Sequence, residues 1–353
     1  MSAGMLVVAV VALTFAAQRT LLYYERHRRL FGTMLPGVPP NGWFDARVHA
    51  WCGCNARNEL LPWLPDPDRC DSHPTLLLLH GAGMTMVEYY SLIDSIYAEQ
   101  RDVRVCAYNR ANHGASTADT RATTASSTVE YGVAEAVHVM EKLGYKKYSL
   151  VGHSLGALIA LVTATKVPNM IASVVSLDGA ATVLWEQHES GGKVVSAMCS
   201  LSRVMKVAAA TGFLRPFTLK KFPILGYNRV HPAVAIYYTH LLNEWHSWQA
   251  LCDDFQSLPI WAAAARNATS TTTSTTDIPL LLLLSDVRHV HPLPGVSEKE
   301  ARSIIGGQRA SDTVWLRWSS NTTVSLISDS SHFFPVEQST QTAKHVLKFL
   351  LGQ

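Results

Sequence analysis

The sequence predicts an α/β fold: a mostly parallel central sheet flanked by helices, with an inserted helical lid. Three observations carry this reading. Short apolar runs such as Thr75–Leu79 and Pro279–Leu284 have the length and composition of strands buried on both faces. Between such runs, apolar residues recur every three or four positions, the helical period. The alternation of the two, which suits parallel strands joined by crossover helices, breaks off over Ala180–Trp261 and then resumes. The 353 residues are 48% hydrophobic and 16% charged, enough for a large core and too weakly charged for extended disorder. Thirty Lys and Arg against 27 Asp and Glu leave a net charge of +3, too slight for a nucleic-acid surface. Beyond the first thirty residues no apolar run reaches the ~18 residues that span a bilayer, which excludes a polytopic channel or transporter.

At the N-terminus Ala3–Ala17 is almost wholly apolar before Gln18 and Arg19. About 15 residues of helix cover roughly 22 Å against ~30 Å of hydrocarbon, so spanning needs Leu21–Tyr24 beyond a snorkelling Arg19. The basic residues Arg19, Arg26, Arg28 and Arg29 follow the apolar stretch, whereas a cleaved signal peptide places them before it. Residues 1–30 therefore read as an uncleaved single-pass membrane anchor, preferred over a cleaved signal or an organelle-targeting segment. The positive-inside tendency then puts the body on the cytoplasmic side. Asn267-Ala268-Thr269 and Asn321-Thr322-Thr323 match the N-glycosylation acceptor pattern, but a Ser/Thr-rich sequence yields such matches by chance. The cysteines, Cys52, Cys54, Cys70, Cys106, Cys199 and Cys252, are too sparse for a disulfide scaffold, so a cytosolic setting is allowed. Cys52-Gly53-Cys54 with Cys70 and His73 lacks the first spacing of a zinc cluster and reads as unrelated side chains.

A Pro/Gly-rich linker, Pro36–Gly42, leads into a strand over Trp43–Cys52. Thr75–Leu79 is a buried strand between Pro74 and the turn His80-Gly81-Ala82-Gly83. Tyr89–Tyr97 places Leu92, Ile93, Ile96 and Tyr97 on one helical side, and Val103–Tyr108 is the next strand. Thr128–Leu143 repeats Val129, Val133, Val137 and Met140 and stops at Gly144, a helix with its C-terminal signal. Tyr148–Val151 is a strand, Leu155–Lys166 a helix ending before Pro168, and Ile171–Leu177 a strand. Within the break, Ala233–Leu242 and Trp245–Phe255 have helical spacing, and Ala268–Thr276 reads as a flexible polar link. Pro279–Leu284 and Thr323–Ile327 restore the sheet and Thr342–Leu351 closes it. The core thus comprises residues 43–179 and 278–353, and the lid with its link residues 180–277.

Val151-Gly152-His153-Ser154-Leu155-Gly156-Ala157 stands at the end of a strand and the start of a helix, the setting of a nucleophile elbow. Its sharp turn strains Ser154, and side chains two residues to either side would collide, hence Gly152 and Gly156. The helix N-terminus favours negative charge beside Ser154, and the Leu155 amide can donate to an oxyanion. His80-Gly81-Ala82-Gly83 follows the earlier strand where a second oxyanion donor belongs, and the Ala82 amide is the candidate. A base must come late, since the chain order of this arrangement is Ser, acid, His. Of the 15 histidines, His332 in Asp329-Ser330-Ser331-His332-Phe333-Phe334-Pro335 follows the last strand and fits. Two aspartates stand directly after strands, Asp178 and Asp286, and either can orient His332.

These motifs resemble the α/β-hydrolase superfamily from Trp43 to the C-terminus, with the lid as its variable insertion. Arg104–Ser116 resembles that superfamily's strand followed by an Asp-Arg-x-Gly-x-Gly-x-Ser turn, with Asn109 in place of the Asp. Ser331-His332-Phe333 resembles its Gly-His-Phe base loop. The resemblance usually puts the acid a few residues beyond the strand of Pro279–Leu284, where the spacing lands on Arg288 and Asp286 comes two residues early. Some members place it after the preceding strand, the position of Asp178.

Together these residues imply acyl transfer: attack on an ester-type carbonyl, an acyl-enzyme on Ser154, and release by water. Carboxylesterase, lipase and thioesterase are the expected activities, with no cofactor. Relatives that open epoxides or remove halide carry Asp at the elbow, against Ser154 here. The rivals are an inactive fold used as a binding or scaffold protein, and an acyltransferase with the same triad. Trp185, Met198, Phe213, Phe217, Phe222, Tyr237 and Trp245 in the lid, with a membrane anchor, suggest a small lipophilic ester.

Overall fold

The computed structural model describes residues 16–18, 48, 50–54, 74–100, 102–114, 116, 128–180, 189–214, 242–270, 276–286, 299 and 315–352. Seven strands form one sheet: β1 (Ala50–Cys54), β2 (Thr75–Leu79), β3 (Arg104–Tyr108), β4 (Tyr148–His153), β5 (Ile171–Leu177), β6 (Leu280–Ser285) and β7 (Thr322–Ile327). Their order is β1-β3-β2-β4-β5-β6-β7, with β1 antiparallel to β3 and every other pair parallel. The helices are α1 (Tyr90–Glu99), α2 (Val129–Leu143), α3 (Leu155–Lys166), α4 (Glu189–Ala210), α5 (Trp245–Ser270), α6 (Phe334–Glu337) and α7 (Ser339–Leu351).

The apolar strands serve both faces of the sheet by turns. Leu77 and Leu79 join Cys106 and Tyr108 on the side of α2, α3 and α5, while Leu76 and Leu78 join Val105 and Ala107 on the side of α1 and α7. Each such leucine removed from water contributes roughly 1.5–3 kcal/mol. Helix α3 is apolar all round, because the sheet covers one side and Leu258, Trp261 and Ala265 of α5 cover the other. Thr128 caps α2 by accepting the Tyr131 amide at 3.2 Å, and Gly144 ends it at φ 74°, where a side chain would be strained.

Several expectations change. Helices α4 and α5 lie between β5 and β6, where the helical insertion was expected, but α5 runs on to Ser270, so the link expected to start at Ala268 is helical there. The helix expected over Ala233–Leu242 lies outside the described residues apart from Leu242. Four of the six cysteines are paired: Cys52–Cys106 joins opposed positions of β1 and β3, and Cys199–Cys252 joins α4 to α5. Cys52 is therefore no zinc ligand.

The single-pass membrane anchor is corrected. Among the described residues no helix is long and apolar enough to cross a membrane. Most of the segment assigned to the anchor lies outside the described residues. Its end is helical over 16–18, and Gln18 is buried against the protein body, its Nε2 donating to the Ala209 carbonyl at 3.4 Å. A polar side chain seated on α4 does not suit a span that should leave the body there.

Candidate active site

Ser154 occupies the one residue between β4 and α3, with φ 52° and ψ −117°. Even the left-handed region open to non-glycine residues does not extend to that ψ, and such backbone costs of order 1–3 kcal/mol. The surroundings hold it there: its amide donates to the Leu177 carbonyl at 3.1 Å, and its carbonyl accepts the Ala157 and Ala180 amides, each at 3.1 Å. The flanking glycines are steric requirements. A Cβ on Gly152 would stand 2.3 Å from the Gly156 carbonyl oxygen, and one on Gly156 would stand 1.9 Å from that of Leu79. These are backbone atoms of α3 and β2 and cannot yield. Gly156→Ala should therefore destabilise the fold by more than about 3 kcal/mol, read as a lowered thermal midpoint or as insoluble expression.

His332 lies on the loop between β7 and α6, with its ring about one-third exposed. Its Nδ1 donates to Asp178 Oδ2 at 2.7 Å. Asp178, at φ 47° just past β5, is buried, and Ser285 steadies its carboxylate: the amide donates to Oδ1 and the hydroxyl to Oδ2, both at 2.9 Å. The other candidate, Asp286, points elsewhere. Its Oδ2 accepts the Asp329 amide at 3.3 Å and its amide donates to Ser330 Oγ at 3.1 Å, so it braces the loop that carries His332. The carboxylate that meets the imidazole is that of Asp178. The rings of His153 and His332 lie 4.8 Å apart, which brings the His332 imidazole beside the Ser154 turn.

The turn after β2 approaches Ser154 closely, since a Cβ on Gly81 would lie 3.4 Å from that of Ser154. Its flanking amides are occupied: Gly81 donates to Glu88 Oε1 at 2.9 Å and Gly83 to Asp254 Oδ2 at 2.8 Å. Among the described residues, the Ala82 and Leu155 amides have no hydrogen-bond acceptor.

Two buried networks, whose pairings the sequence motifs do not disclose, support this geometry. The first joins Glu88 to His153. The two ring nitrogens of His153 face acceptors, Glu88 Oε2 at 3.2 Å and the His332 carbonyl at 2.9 Å. Burial opposes charge on this ring, but the Glu88 carboxylate outweighs it and the pKa is raised, so the imidazolium donates from both sides. One ion pair thereby links the turn after β2 to the backbone of His332. The second network centres on Asp254 of α5, whose Oδ2 also meets Arg110 Nη2 at 2.7 Å and His113 Nε2 at 2.8 Å. Arg110 in turn donates to the His80 and Gly81 carbonyls. His80 stays neutral, its pKa held well below the usual value by burial and then by the charges of Arg110 and His113.

Burial also opposes the Asp254 charge, but Arg110 and His113 overcome it and lower its pKa. A depressed carboxylate contributes stability that is complete above its unfolded value, about 4, and is lost as pH falls through the folded one. The stability gap between the wild type and Asp254→Asn should then be largest near neutrality, about 3–5 kcal/mol for leaving buried Arg110 uncompensated, and should narrow in acid below about pH 4. Urea unfolding as a function of pH measures it.

A family model described as the alpha/beta hydrolase fold matches residues 74–201. No curated protein has a significant match to the chain. Among solved structures, a Pseudomonas aeruginosa protein provisionally assigned as an epoxide hydrolase is 17% identical, with a TM-score of 0.61 over 90% of this chain and 97% of that one. Juvenile hormone epoxide hydrolase from the silkworm Bombyx mori is 19% identical, with a TM-score of 0.55 over 86% of this chain and 73% of that one. A structure reported in work on carboxylesterases of the thaumarchaeon Nitrososphaera gargenis is 13% identical, with a TM-score of 0.55 over 86% and 94%. At these identities the likeness carries the fold. With a six-strand parallel run led by one antiparallel strand, and with the matched segment spanning β2 to α4, the chain has the α/β-hydrolase fold.

Proposed function

We propose that the protein is a serine hydrolase that cleaves ester-type bonds through an acyl-enzyme on Ser154. The observation that carries this is the 2.7 Å contact of His332 Nδ1 with Asp178 on the loop beside the strained Ser154 turn. In this reading His332 Nε2 takes the Ser154 proton as Oγ attacks the carbonyl carbon, and Asp178 fixes the tautomer and steadies the imidazolium. The developing oxyanion is met by the Leu155 and Ala82 amides, the first at the N-terminus of α3. His332 returns the proton to the leaving group, water repeats the sequence on the acyl-enzyme, and the serine is regenerated.

The likeness to epoxide hydrolases raises a second activity, which Ser154 disfavours. Opening an epoxide covalently on a carboxylate gives an ester that water can hydrolyse, whereas a serine hydroxyl would give an ether that a His base cannot cleave. The substrate is taken to be a small-molecule ester. The lipophilic preference expected from the aromatic residues of the insertion weakens where they are described, because Trp245 packs with Trp248, Met205, Ala209 and Leu214 in a small core of its own. Incubation with a fluorophosphonate should add one phosphonyl group to the chain, mapped to Ser154 by peptide mass. Labelling elsewhere, or turnover of an epoxide in preference to 4-nitrophenyl esters, would overturn the reading.

A further inference from the structure

We propose that Asn321 carries an N-linked glycan, attached in an oxidising compartment, which guards the open edge of the sheet. Three features converge on this residue. The first is the pair of disulfides, Cys52–Cys106 across β1 and β3 and Cys199–Cys252 between α4 and α5. They lie in separate parts of the fold, and among the described residues no cysteine is free. Thiols kept in a reducing cytosol do not remain paired in this way, whereas a secretory compartment keeps them so.

The second feature is Asn321-Thr322-Thr323 itself. Asn321 and Thr323 are both exposed, and neither belongs to the core or the candidate site. The backbone of Asn321 is engaged, its carbonyl accepting the Leu280 amide at 2.9 Å and its amide donating to Ser319 Oγ at 3.1 Å, which leaves the side chain at the surface where a bulky group fits. The transfer needs a lipid-linked oligosaccharide pyrophosphate as donor. Asn321 Nδ2 forms the bond to the sugar's first carbon as that carbon's bond to the pyrophosphate oxygen breaks, and the amide loses a proton.

The third feature says what the glycan does. Among the described residues β7 is the last strand of the sheet, paired on one side by β6. Val324 and Leu326, alternate residues facing the same way, are 51% and 45% exposed. An edge strand with exposed apolar side chains is a template for pairing with another chain. A hydrated glycan at the head of β7 obstructs such an approach and shields those side chains.

The test uses the full chain, with its own N-terminus, produced in eukaryotic secretory cells. Peptide-N-glycosidase digestion in heavy-oxygen water should leave aspartate bearing the heavy isotope at position 321, and Cys52, Cys106, Cys199 and Cys252 should resist alkylation until a reductant is added. Thr323→Ser should keep the glycan, whereas Thr323→Val should lose it and aggregate sooner on heating. An unmodified Asn321 overturns the proposal, whether the cysteines prove paired or free. Equal aggregation of the two Thr323 variants overturns the guarding role.

Discussion

Asp178→Asn should lower kcat by about 10,000-fold while leaving the fold in place, because an amide facing His332 Nδ1 selects the wrong imidazole tautomer. The neighbouring substitution Asp286→Asn should cost less than about tenfold, since a side-chain oxygen remains to accept the Asp329 amide. Ester turnover by the two purified variants, with circular dichroism to show that both are folded, makes the comparison. Comparable losses would mean that the contact between His332 and Asp178 does not serve catalysis. The lowered activity of Asp178→Asn should also recover partly at high pH, where hydroxide can replace the lost base.

The second large effect concerns Ser154, where activity and stability should move in opposite directions. Ser154→Ala should lose about 10⁶ in kcat, the scale on which triad nucleophiles act. Ser154→Gly should be as inactive yet more stable than the wild type by about 1–3 kcal/mol, because glycine adopts φ 52° and ψ −117° without the Cβ clash. Chemical denaturation of the wild type and both variants reads the difference. A Ser154→Gly variant less stable than Ser154→Ala would show that the turn is relaxed, and the case for a strained nucleophile would fall with it.

The sequence makes the sheet legible because its strands are buried on both faces. Leu76–Leu79 and Leu280–Leu284 can be little else, and the residues between strands keep a helical period. Ser154 and His332 are legible through chain order together with their places at strand ends. The choice between Asp178 and Asp286 is not, since both follow strands and what separates them is the direction each side chain takes after the turn. Ser285 draws one toward His332, and the Asp329 amide draws the other into the loop. The disulfides escape a one-dimensional reading because they depend on strand order: Cys52 meets Cys106 only because β1 lies beside β3. Glu88 and Asp254 belong to no spacing pattern, and the elbow motif leaves the identity of the residue at 153 open. The bonds from Glu88 to His153, from His153 to His332 and from Asp254 to Arg110 span 65 to 179 positions, and only burial without compensation would have drawn attention to them.

Asp254 changes how the inserted helices are to be understood. A cover that swings aside must leave the floor intact, yet this carboxylate is bolted to the floor, through Gly83 and through an arginine that clasps the same turn. Swinging α5 outward would strip the Gly83 amide of its acceptor and abandon a buried guanidinium. Grafting the insertion of a relative onto this core should impair turnover as well as alter substrate choice, unless the graft brings an acidic residue to the same spot.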